Sequence, residues 1–432
     1  MSKQVLILGG GIAGLTAALF LRERGFHITI LEQAAEVGGR LIHAPPPCLL
    51  GAHAATWRLC KQLDLETALR RMRHTPIEFL QGDGRHVQFL HFPLPSPLNT
   101  LLGTSLFQGL SMRDRWQLLS FLERTWEQDP PLPDDLELRI ADEWFASIGQ
   151  SEAARQGVWS SLSRFLLGAP LKEVSAALFM RTLRRSFFTG VRPAKMIVPP
   201  QGAGVWLIAP LKARLDRSGV EFKLSAPVHR IRFDSNRVSG IELADRHIMT
   251  ADWYVAALPR HELTHLIPER LLTHYGYFQQ LGRLKESPYL VVQLHAEQPS
   301  TGTRVVLLER RTFHWLIHQS DETMKEGTSN IWAVAVGDDR LIDRQEEVIR
   351  AAVEDAQAAL SLAAPPPVIS SRCHREPRAI LDVKPGTQQY RPLQQSPFSN
   401  FLVAGDWTDT GWPSLLESAV LSGQRCADAI PG

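Results

Sequence analysis

The sequence predicts an α/β protein in which a Rossmann-like domain is interrupted by insertions that build a second, α+β domain. Three observations support this prediction. A strand, a glycine-rich turn, a helix and a second strand follow one another within residues 3–32. A mainly helical stretch and a strand-rich stretch come later, and a short apolar strand at 401–404 then leads into a final helix. The chain is therefore expected to leave the first domain and to return to it.

The first strand and its turn have a recognisable spacing. Residues 5–8 form a short apolar run, which suits a strand buried on both faces. Gly9, Gly11 and Gly14 follow in the order G-x-G-x-x-G. Gly9 permits a tight turn, Gly11 lets the backbone approach a pyrophosphate, and Gly14 lets the helix lie close to the strand. The pattern predicts a dinucleotide-binding turn.

The start of the helix and the end of the second strand complete this site. The first helical turn contains Ile12 and Ala13, and its unpaired N–H groups offer a partial positive charge to the pyrophosphate. Glu32 ends the second strand, where a carboxylate can accept both ribose hydroxyls of an adenosine. An acid at this position argues against a 2′-phosphate, so NADP fits poorly.

A second glycine pair distinguishes FAD from NAD. Gly38, Gly39 and Arg40 follow Glu32 closely, and an NAD enzyme needs no glycine pair there. The run E-Q-A-A-E-V-G-G-R resembles the extended dinucleotide motif of FAD-dependent amine oxidases and carotenoid desaturases. In that group the glycines pass close to the flavin diphosphate, and the arginine lies near phosphate or flavin. The resemblance implies FAD as the cofactor.

Length and composition bound the class of protein. The chain has 432 residues, enough for two domains with large cores, and its net charge of +2 points to no nucleic acid or other polyanionic partner. Four scattered cysteines favour free thiols in a reducing cytosol over a disulfide framework or a metal site. No signal peptide is expected, because the first apolar run is the cofactor strand. No apolar run reaches the roughly 20 residues of a spanning helix.

Changes in composition indicate the domain boundaries. The predicted FAD domain comprises 1–75, 195–260 and 375–432, and the predicted substrate domain comprises the mainly helical stretch 76–194 and the mixed stretch 261–374. Three consecutive prolines at 45–47 predict a rigid extended loop. Residues 54–73 read as one amphipathic helix, and residues 77–92 alternate around Gly82-Asp83-Gly84, which predicts a hairpin.

The C-terminal stretch is predicted to close the cofactor site. The apolar strand at 401–404 leads into Gly405 and Asp406, and a helix is expected over 414–430, with Leu416 in its first turn. In flavoproteins of this shape the strand-Gly-Asp turn meets the ribityl chain and pyrophosphate. The helix that follows points its N-terminus at the flavin, where its dipole stabilises negative charge. The alternative for Asp406 is a simple helix cap.

Most of the chain resembles one group within this superfamily. The motifs E-P-R-A-I, P-G-T-Q-Q-Y-R-P, V-P-P-Q-G-A-G-V-W-L-I-A-P-L and L-V-A-G-D-W-T-D-T-G-W-P-S-L-L-E-S-A-V-L-S-G are similar to those of squalene-associated FAD-dependent desaturases, understood as hydroxysqualene dehydroxylases of bacterial hopanoid synthesis. The resemblance implies a glutathione-reductase-like fold of the amine oxidase type. The positions that match FAD-holding positions of this group are Gly9, Gly11, Gly14, Glu32, Gly38, Gly39, Arg40, Val228, Gly405 and Asp406.

One loop departs from that group. The family carries D-N-G-Q-H just before L-x-x-G, whereas this chain has H-A-P-P-P-C at 43–48 before Leu49-Leu50-Gly51. The family motif lies near the flavin. Either the substrate or reaction differs here, or the loop has changed with the chemistry intact.

The resemblance implies removal of an allylic or cyclopropylcarbinyl-type hydroxyl from a C30 isoprenoid. Such a reaction needs a proton donor for the departing hydroxyl, a hydride from the flavin and a long, dry, apolar pocket. The candidate acids are Asp409, in the turn after the last strand, and His53. Each also has a structural interpretation: Asp409 as a turn-stabilising residue, His53 as a surface or core histidine.

The segment 92–110 has no charged residue, and Trp116 follows it. It is expected either to dip into a bilayer, which would make a cytoplasmic protein peripheral on the inner face of a membrane, or to form the core of the helical stretch. The chain has one dinucleotide motif, so the unidentified electron donor is expected to dock transiently or to be another protein.

Two alternatives remain beside the dehydroxylase. The same fold supports oxidative desaturation of a polyene or oxidation of an amine, with electrons flowing in the other direction. An amine oxidase would require an aromatic cage, of which Trp412 could form one wall. The third alternative is a FAD-containing protein that binds isoprenoids and presents them to a membrane partner without catalysis.

Overall fold

The computed structural model describes residues 3–90, 92, 98–125, 134–188, 194–299, 302–320, 324–337 and 344–432. Of the predicted membrane-contact segment, residues 93–97 lie outside this set. The described strands form a parallel sheet that carries the cofactor motifs, a large mixed sheet and two small antiparallel sheets.

A five-stranded parallel sheet confirms the predicted Rossmann-like domain. Its strands, in spatial order, are β17 (Phe401–Val403), β11 (Trp253–Ala256), β1 (Gln4–Leu8), β2 (His27–Leu31) and β7 (Glu221–Lys223). Because all neighbours are parallel, their carboxyl ends meet at one edge. At that edge the Gly9 amide donates to the Leu31 carbonyl at 2.8 Å. The motifs that follow β1, β2 and β17 are thereby brought together.

Five helices belong to this part of the fold: α1 (Ile12–Glu23), α2 (Ala54–Gln62), α3 (Glu66–Arg71), α10 (Ala209–Arg217) and α15 (Leu416–Ala429). α1 and α15 lie in close contact, since a Cβ on Gly423 would meet the Ala13 carbonyl oxygen at 2.3 Å. The single helix predicted over 54–73 is wrong: Asp64 adopts φ +59° between α2 and α3, which ends the first helix.

The large sheet has seven strands in the order β16 (Val368–Leu381), β12 (Glu286–Ala296), β15 (Ser329–Val336), β14 (Trp315–Gln319), β13 (Arg304–Leu308), β4 (Ile77–Leu80) and β5 (His86–Gln88). β4 and β5 form the predicted hairpin. β16 runs across the boundary placed between 374 and 375, because it pairs with β12 from Val368 to Leu381. A division of the chain at that point would cut through a continuous strand.

Both faces of this sheet are apolar. On one face Val292, Leu316 and Ala333 pack against α14 (Gln345–Ala359). On the other face Val291, Trp315 and Trp332 pack with residues of the helical insertion. The insertion contributes α4 (Leu98–Leu106), α5 (Met112–Thr125), α6 (Ala141–Ser147), α7 (Glu152–Ala154), α8 (Ser160–Leu167) and α9 (Ala176–Leu183). The alternation of strand side chains thus creates two separate apolar layers.

The remaining elements are short. β8 (Val228–Asp234), β9 (Arg237–Leu243) and β10 (Ile248–Met249) form an antiparallel meander, and β3 (Leu49–Leu50) pairs with β6 (Met196–Ile197). Three helices follow β11, namely α11 (Arg260–Leu266), α12 (Glu269–His274) and α13 (Gly276–Gln279). Among the helices of the described residues, none has both the length and the apolar character needed to span a membrane.

Candidate cofactor site

The three glycines of the first turn differ in the space around them. Gly9 has φ +98°, and a Cβ there would meet the Ala257 carbonyl oxygen at 2.4 Å. A Cβ on Gly14 would meet the Gly9 carbonyl oxygen at 2.2 Å. Beside Gly11, by contrast, a Cβ would meet no atom within 4 Å. Gly9 and Gly14 are therefore needed by the fold itself, whereas the space beside Gly11 is open to a ligand.

Gly11 is also the N-cap of α1, whose first turn contains the buried residues Ile12 and Ala13. The first N–H groups of a helix have no acceptor within the helix and attract anions. An open cradle at a helix N-terminus fits the diphosphate of a dinucleotide. The structure thus places Gly11, Ile12 and Ala13 at one helix start, and their contact with the diphosphate stays a prediction.

Glu32 closes the turn from the second strand. One of its carboxylate oxygens accepts from the Gly10 amide at 2.7 Å, and the other accepts from the Ala34 amide at 2.9 Å. The carboxylate keeps further lone pairs for hydroxyl donors. The segment that leads to Val228 lies beside it, because the Ala226 amide donates to the Glu32 carbonyl at 2.9 Å. Val228 is the first residue of β8.

The second glycine pair returns to the first turn. The Gly38 amide donates to the Gly10 carbonyl at 2.8 Å, and Gly38 and Gly39 adopt φ +123° and +52°. A Cβ on Gly39 would lie 3.6 Å from the Gly11 Cα. The two glycine motifs, separate in sequence, therefore form one backbone cradle around the open space at Gly11.

Arg40 connects this cradle to the C-terminal turn. Its guanidinium donates to an oxygen of Asp406 at 2.7 Å and also to the Ala379 carbonyl, at the end of β16. Asp406 is 8% exposed, and its other oxygen accepts from the Ser414 hydroxyl. The Asp406 carboxylate raises the pKa of Arg40. Asp406 therefore joins two motifs, which exceeds the role of a helix cap.

The C-terminal turn is held at both ends. Gly405 adopts φ +153°, and its amide donates to the Ser422 hydroxyl of α15 at 3.1 Å. Leu416 begins α15, so that residues 407–415 connect the turn to the N-terminus of this helix. The strand-Gly-Asp turn and the helix start lie at the same edge of the sheet as Gly9, which agrees with the arrangement that the sequence predicts.

Two residues of this region were missed by the sequence reasoning. Glu417 is 2% exposed, and its carboxylate accepts from the amides of Ala55 and Thr56, which caps α2 from α15. Arg391 is 5% exposed and donates to carbonyls of the C-terminal turn. Both residues lie inside motifs that supported the family resemblance. The presence of a charged residue in each motif was the only feature of those motifs that could have drawn attention to them.

His53 lies in the interior. It is 8% exposed, its Nδ1 accepts from the Leu50 amide at 3.3 Å, and its ring meets Trp412 edge-on at 5.4 Å between centroids. Burial lowers the pKa of His53 to about 4. The imidazole is therefore neutral near pH 7, which disfavours the protonated form that a general acid uses. Its catalytic role remains a prediction.

Asp409 has a different environment. Its side chain is exposed, and one carboxylate oxygen accepts from the Gly411 amide at 3.1 Å. Its own amide donates to the Pro392 carbonyl at 2.8 Å. This is the turn-stabilising arrangement, and it leaves a carboxyl group next to the cofactor turn. The role of Asp409 as a catalytic acid also remains a prediction.

The proline loop lies between the cofactor turn and the large sheet. Ala44 accepts from the Ala203 amide at 3.3 Å, and the ring of His43 packs against His374 of β16 at 4.8 Å. Burial raises the pKa of Cys48 to about 12, and burial together with Cys48 raises the pKa of Tyr289 on β12. The loop that departs from the family motif therefore contacts the sheet that would enclose a substrate.

Comparisons with known proteins agree with this geometry. The sequence model of the family described as flavin containing amine oxidoreductase matches residues 12–431. The 15-cis-phytoene desaturase of Synechococcus elongatus is 26% identical over 99% of this chain and 95% of its own, and the zeta-carotene desaturase of Synechocystis is 22% identical over 99% and 97%.

Solved structures share the fold. An oxidoreductase from Methanosarcina mazei has a TM-score of 0.73 at 19% identity, covering 98% of this chain and 100% of its own. Cyclohexylamine oxidase from Brevibacterium oxydans has a TM-score of 0.70 at 20% identity, covering 99% and 98%. The family match identifies the cofactor as FAD, and the open cradle at Gly11 fits its diphosphate.

Proposed function

Because the chain belongs to the flavin containing amine oxidoreductase family, we propose that it uses FAD to act on an apolar C30 isoprenoid, reducing hydroxysqualene to squalene. The FAD-dependent oxidoreductase activity follows from the family. The substrate and the redox direction are the proposal, and they rest on the motif resemblance and on the apolar cluster between the large sheet and the helical insertion.

The observation that carries the proposal is a continuous apolar cluster. On the large sheet it includes Trp315 and Trp332, and in the helical insertion it includes Phe179 and Met180. It extends to Leu50, whose carbonyl and amide contact the segment around His53. An apolar layer that reaches from the insertion to the cofactor domain suits a long hydrocarbon and offers little to a charged amine.

The chemistry requires the carbon–oxygen bond to break heterolytically. The hydroxyl takes up a proton and leaves as water, and the resulting carbocation accepts a hydride, which bound reduced FAD supplies. A substrate held against the buried apolar cluster would be kept from water that would trap the cation. Asp409 and His53 are the proposed sources of the proton.

A second candidate is oxidative desaturation of a polyene. The relatives named phytoene and zeta-carotene desaturase support it, since they align with nearly the whole chain. The apolar cluster of the large sheet and the helical insertion would suit the hydrocarbon of either reaction. Amine oxidation has less support, because Trp412 is 8% exposed and packs on His53. A FAD-containing isoprenoid carrier without activity is the remaining alternative.

An anaerobic experiment tests the proposal. The purified holoprotein is reduced chemically and mixed with hydroxysqualene, while the flavin spectrum and the lipid mass are followed. Reoxidation of the flavin with formation of squalene is the expected result. Reduction of the oxidised enzyme by phytoene, with no reaction of hydroxysqualene, would favour the desaturase. No reaction with either substrate would favour the carrier.

A variant pair tests the proposed acid. Asp409→Asn keeps an acceptor for the Gly411 amide but removes the proton, whereas Asp428→Asn makes the same change on an exposed position of α15. Loss of turnover only in Asp409→Asn, with the flavin spectrum unchanged, is expected. Equal turnover in both variants would remove Asp409 from the mechanism.

We extend the proposal to a peripheral membrane contact that delivers the substrate. Met112 and Trp116 lie one helical turn apart on α5 and are 75% and 72% exposed. Leu106 of α4 is 48% exposed. Exposed apolar residues on neighbouring helices are typical of membrane or partner contacts. A cytoplasmic location and an electron donor that docks from solution or is another protein belong to the same proposal.

Vesicle flotation tests this contact. Replacing Met112 and Trp116 by serine is expected to release the protein from lipid vesicles. Leu138→Ser, at a position of the described chain that is also 70% exposed, serves as the control. Unchanged flotation of the double variant would contradict the membrane contact without bearing on the reaction.

A further inference from the structure

Arg391 is an internal anchor of the C-terminal turn. Its guanidinium donates to the carbonyl oxygens of Asp406 at 2.8 Å, Thr408 at 2.6 Å and Trp412 at 2.6 Å. It also donates to the Gln388 side-chain oxygen at 2.9 Å and to the Ser418 hydroxyl at 3.2 Å. One buried side chain thus holds the turn and the start of α15 together.

The charge of this side chain is not neutralised by contact. All of the acceptors named above are neutral oxygens, whereas Arg40 is paired directly with the Asp406 carboxylate at 2.7 Å. Burial lowers the pKa of Arg391 to about 10, and the more distant charges of Asp406 and Asp409 act in the opposite sense. The group is therefore a cation near pH 7, buried beside a turn made of peptide dipoles.

The turn that Arg391 holds belongs to the cofactor site. Asp406 contacts Arg40 of the second glycine motif, and α15 begins at Leu416. Because a trans peptide points its C=O and N–H in opposite directions, the Asp406 carbonyl at Arg391 directs the Trp407 N–H away from the guanidinium. Arg391 thereby orients the dipoles of the turn in addition to contributing its charge.

We propose that Arg391 is a positioning residue for FAD and that its charge, acting through the turn 406–412, makes the bound flavin easier to reduce. A fixed positive charge near the turn stabilises the anionic, reduced form more than the neutral, oxidised form. The charge of Arg391 acts over a longer distance here because the site is buried and mobile ions screen it poorly. The proposal depends on FAD binding and not on the identity of the substrate.

A charge placed beside Arg391 tests the proposal without removing the side chain. Gln388→Glu keeps the acceptor for the guanidinium and adds a neutralising negative charge at 2.9 Å. It also replaces the Gln388 amide nitrogen, which is buried without a partner in the described part of the chain. Gln389→Glu adds the same charge at an exposed neighbouring position and is the matched control.

Two measurements on the holoproteins report the effect. Sulfite adds to the oxidised flavin ring and leaves a negative charge on it, so its affinity reports positive charge nearby. In Gln388→Glu we expect sulfite to bind about tenfold more weakly, and the two-electron reduction potential to fall by about 30 mV, the equivalent of a tenfold change. Gln389→Glu is expected to match the wild type. Equal values for the three proteins would overturn the proposal.

Substitution of Arg391 separates charge from positioning. Arg391→Lys keeps the charge but lacks the planar fork, so it should bind FAD more weakly while retaining a potential near that of the wild type. Arg391→Met should bind FAD more weakly and should also have a lower reduction potential than the wild type. Arg217→Gln removes a charge from an exposed position of α10 and is the control, which should keep the potential and the FAD affinity of the wild type. A wild-type potential in Arg391→Met would refute the role, and Gln388→Glu decides if that variant does not fold.

Discussion

Arg40 and Asp406 lie 366 positions apart in the sequence and 2.7 Å apart in the fold. Their ion pair joins the second glycine motif to the turn that precedes the last helix. The pair is not formed within one local segment, because Asp406 is delivered by β17 and Arg40 by the loop after β2. The pair therefore depends on the order of the parallel strands.

Removing the charge of this pair should weaken cofactor binding. Asp406→Asn leaves one oxygen, which cannot serve both Arg40 and Ser414 as the carboxylate does. A hydrogen bond to a charged group is worth about 1.5–3 kcal/mol, so the Kd for FAD should rise about tenfold to hundredfold in flavin fluorescence titrations. Asp83→Asn breaks an exposed pair with Arg85 and should leave the Kd unchanged.

Substitutions of two glycines of the first turn should have different effects, one on FAD binding and the other on the stability of the apoprotein. Gly11→Ala places its Cβ in open space, so the apoprotein should melt at the wild-type temperature while FAD binding falls sharply. Gly14→Ala should instead lower the melting temperature of the apoprotein, because its Cβ would lie 2.2 Å from the Gly9 carbonyl oxygen. Calorimetry of the two apoproteins checks this. Equal melting temperatures would contradict the assignment of Gly14 to folding and of Gly11 to FAD binding.

The contact between α1 and α15 should not tolerate a methyl group. In Gly423→Ala the new Cβ would lie 2.3 Å from the Ala13 carbonyl oxygen, so the helices must move apart. Overpacking costs about 1–3 kcal/mol, which denaturant unfolding can measure. Gly276→Ala is the control, because a Cβ there meets no atom within 4 Å. Similar stability losses in both variants would contradict the steric explanation.

Glu417 should be more important for stability than its place near the cofactor suggests. Glu417→Ala leaves the amides of Ala55 and Thr56 without acceptors in the interior. Each unsatisfied group costs about 1–3 kcal/mol, so for the two amides the free energy of unfolding should fall by about 2–6 kcal/mol. Glu417→Gln keeps one acceptor and should lose less. The proposal of a helix cap fails if both variants unfold alike in denaturant.

His53 should make stability depend on pH. Burial lowers its pKa from 6.5 to about 4, so the unfolded chain binds a proton at a pH where the folded protein does not. Stability contributed in this way is lost as the pH falls from about 6.5 towards 4. His53→Gln should show a shallower loss over that interval in denaturant unfolding. Burial also lowers the pKa of His318 to about 4, so part of the dependence should remain.

Local patterns predicted the cofactor motifs well. The glycine spacing after β1, the acid after β2 and the Gly-Asp turn after β17 each depend on neighbours within a few residues, so the sequence shows them directly. The roles of Glu417 and Arg391 could not be read in this way. Their partners lie on other elements, and a charged residue in a motif does not reveal whether it faces solvent or a buried backbone.

The sequence by itself indicated the Rossmann-like domain, because the pattern of strand, glycine turn and helix is a local property, and its motif resemblance indicated FAD. Only the tertiary structure decided that Asp64 splits the predicted helix, that β16 continues to Leu381, and that His53 is buried against Trp412. The extent of β16 and the burial of His53 follow from contacts between distant segments, whose energies exceed local preferences once the segments pack together. The break at Asp64 is closed by backbone hydrogen bonds within 59–65, and its left-handed conformation is one that the sequence pattern alone does not impose.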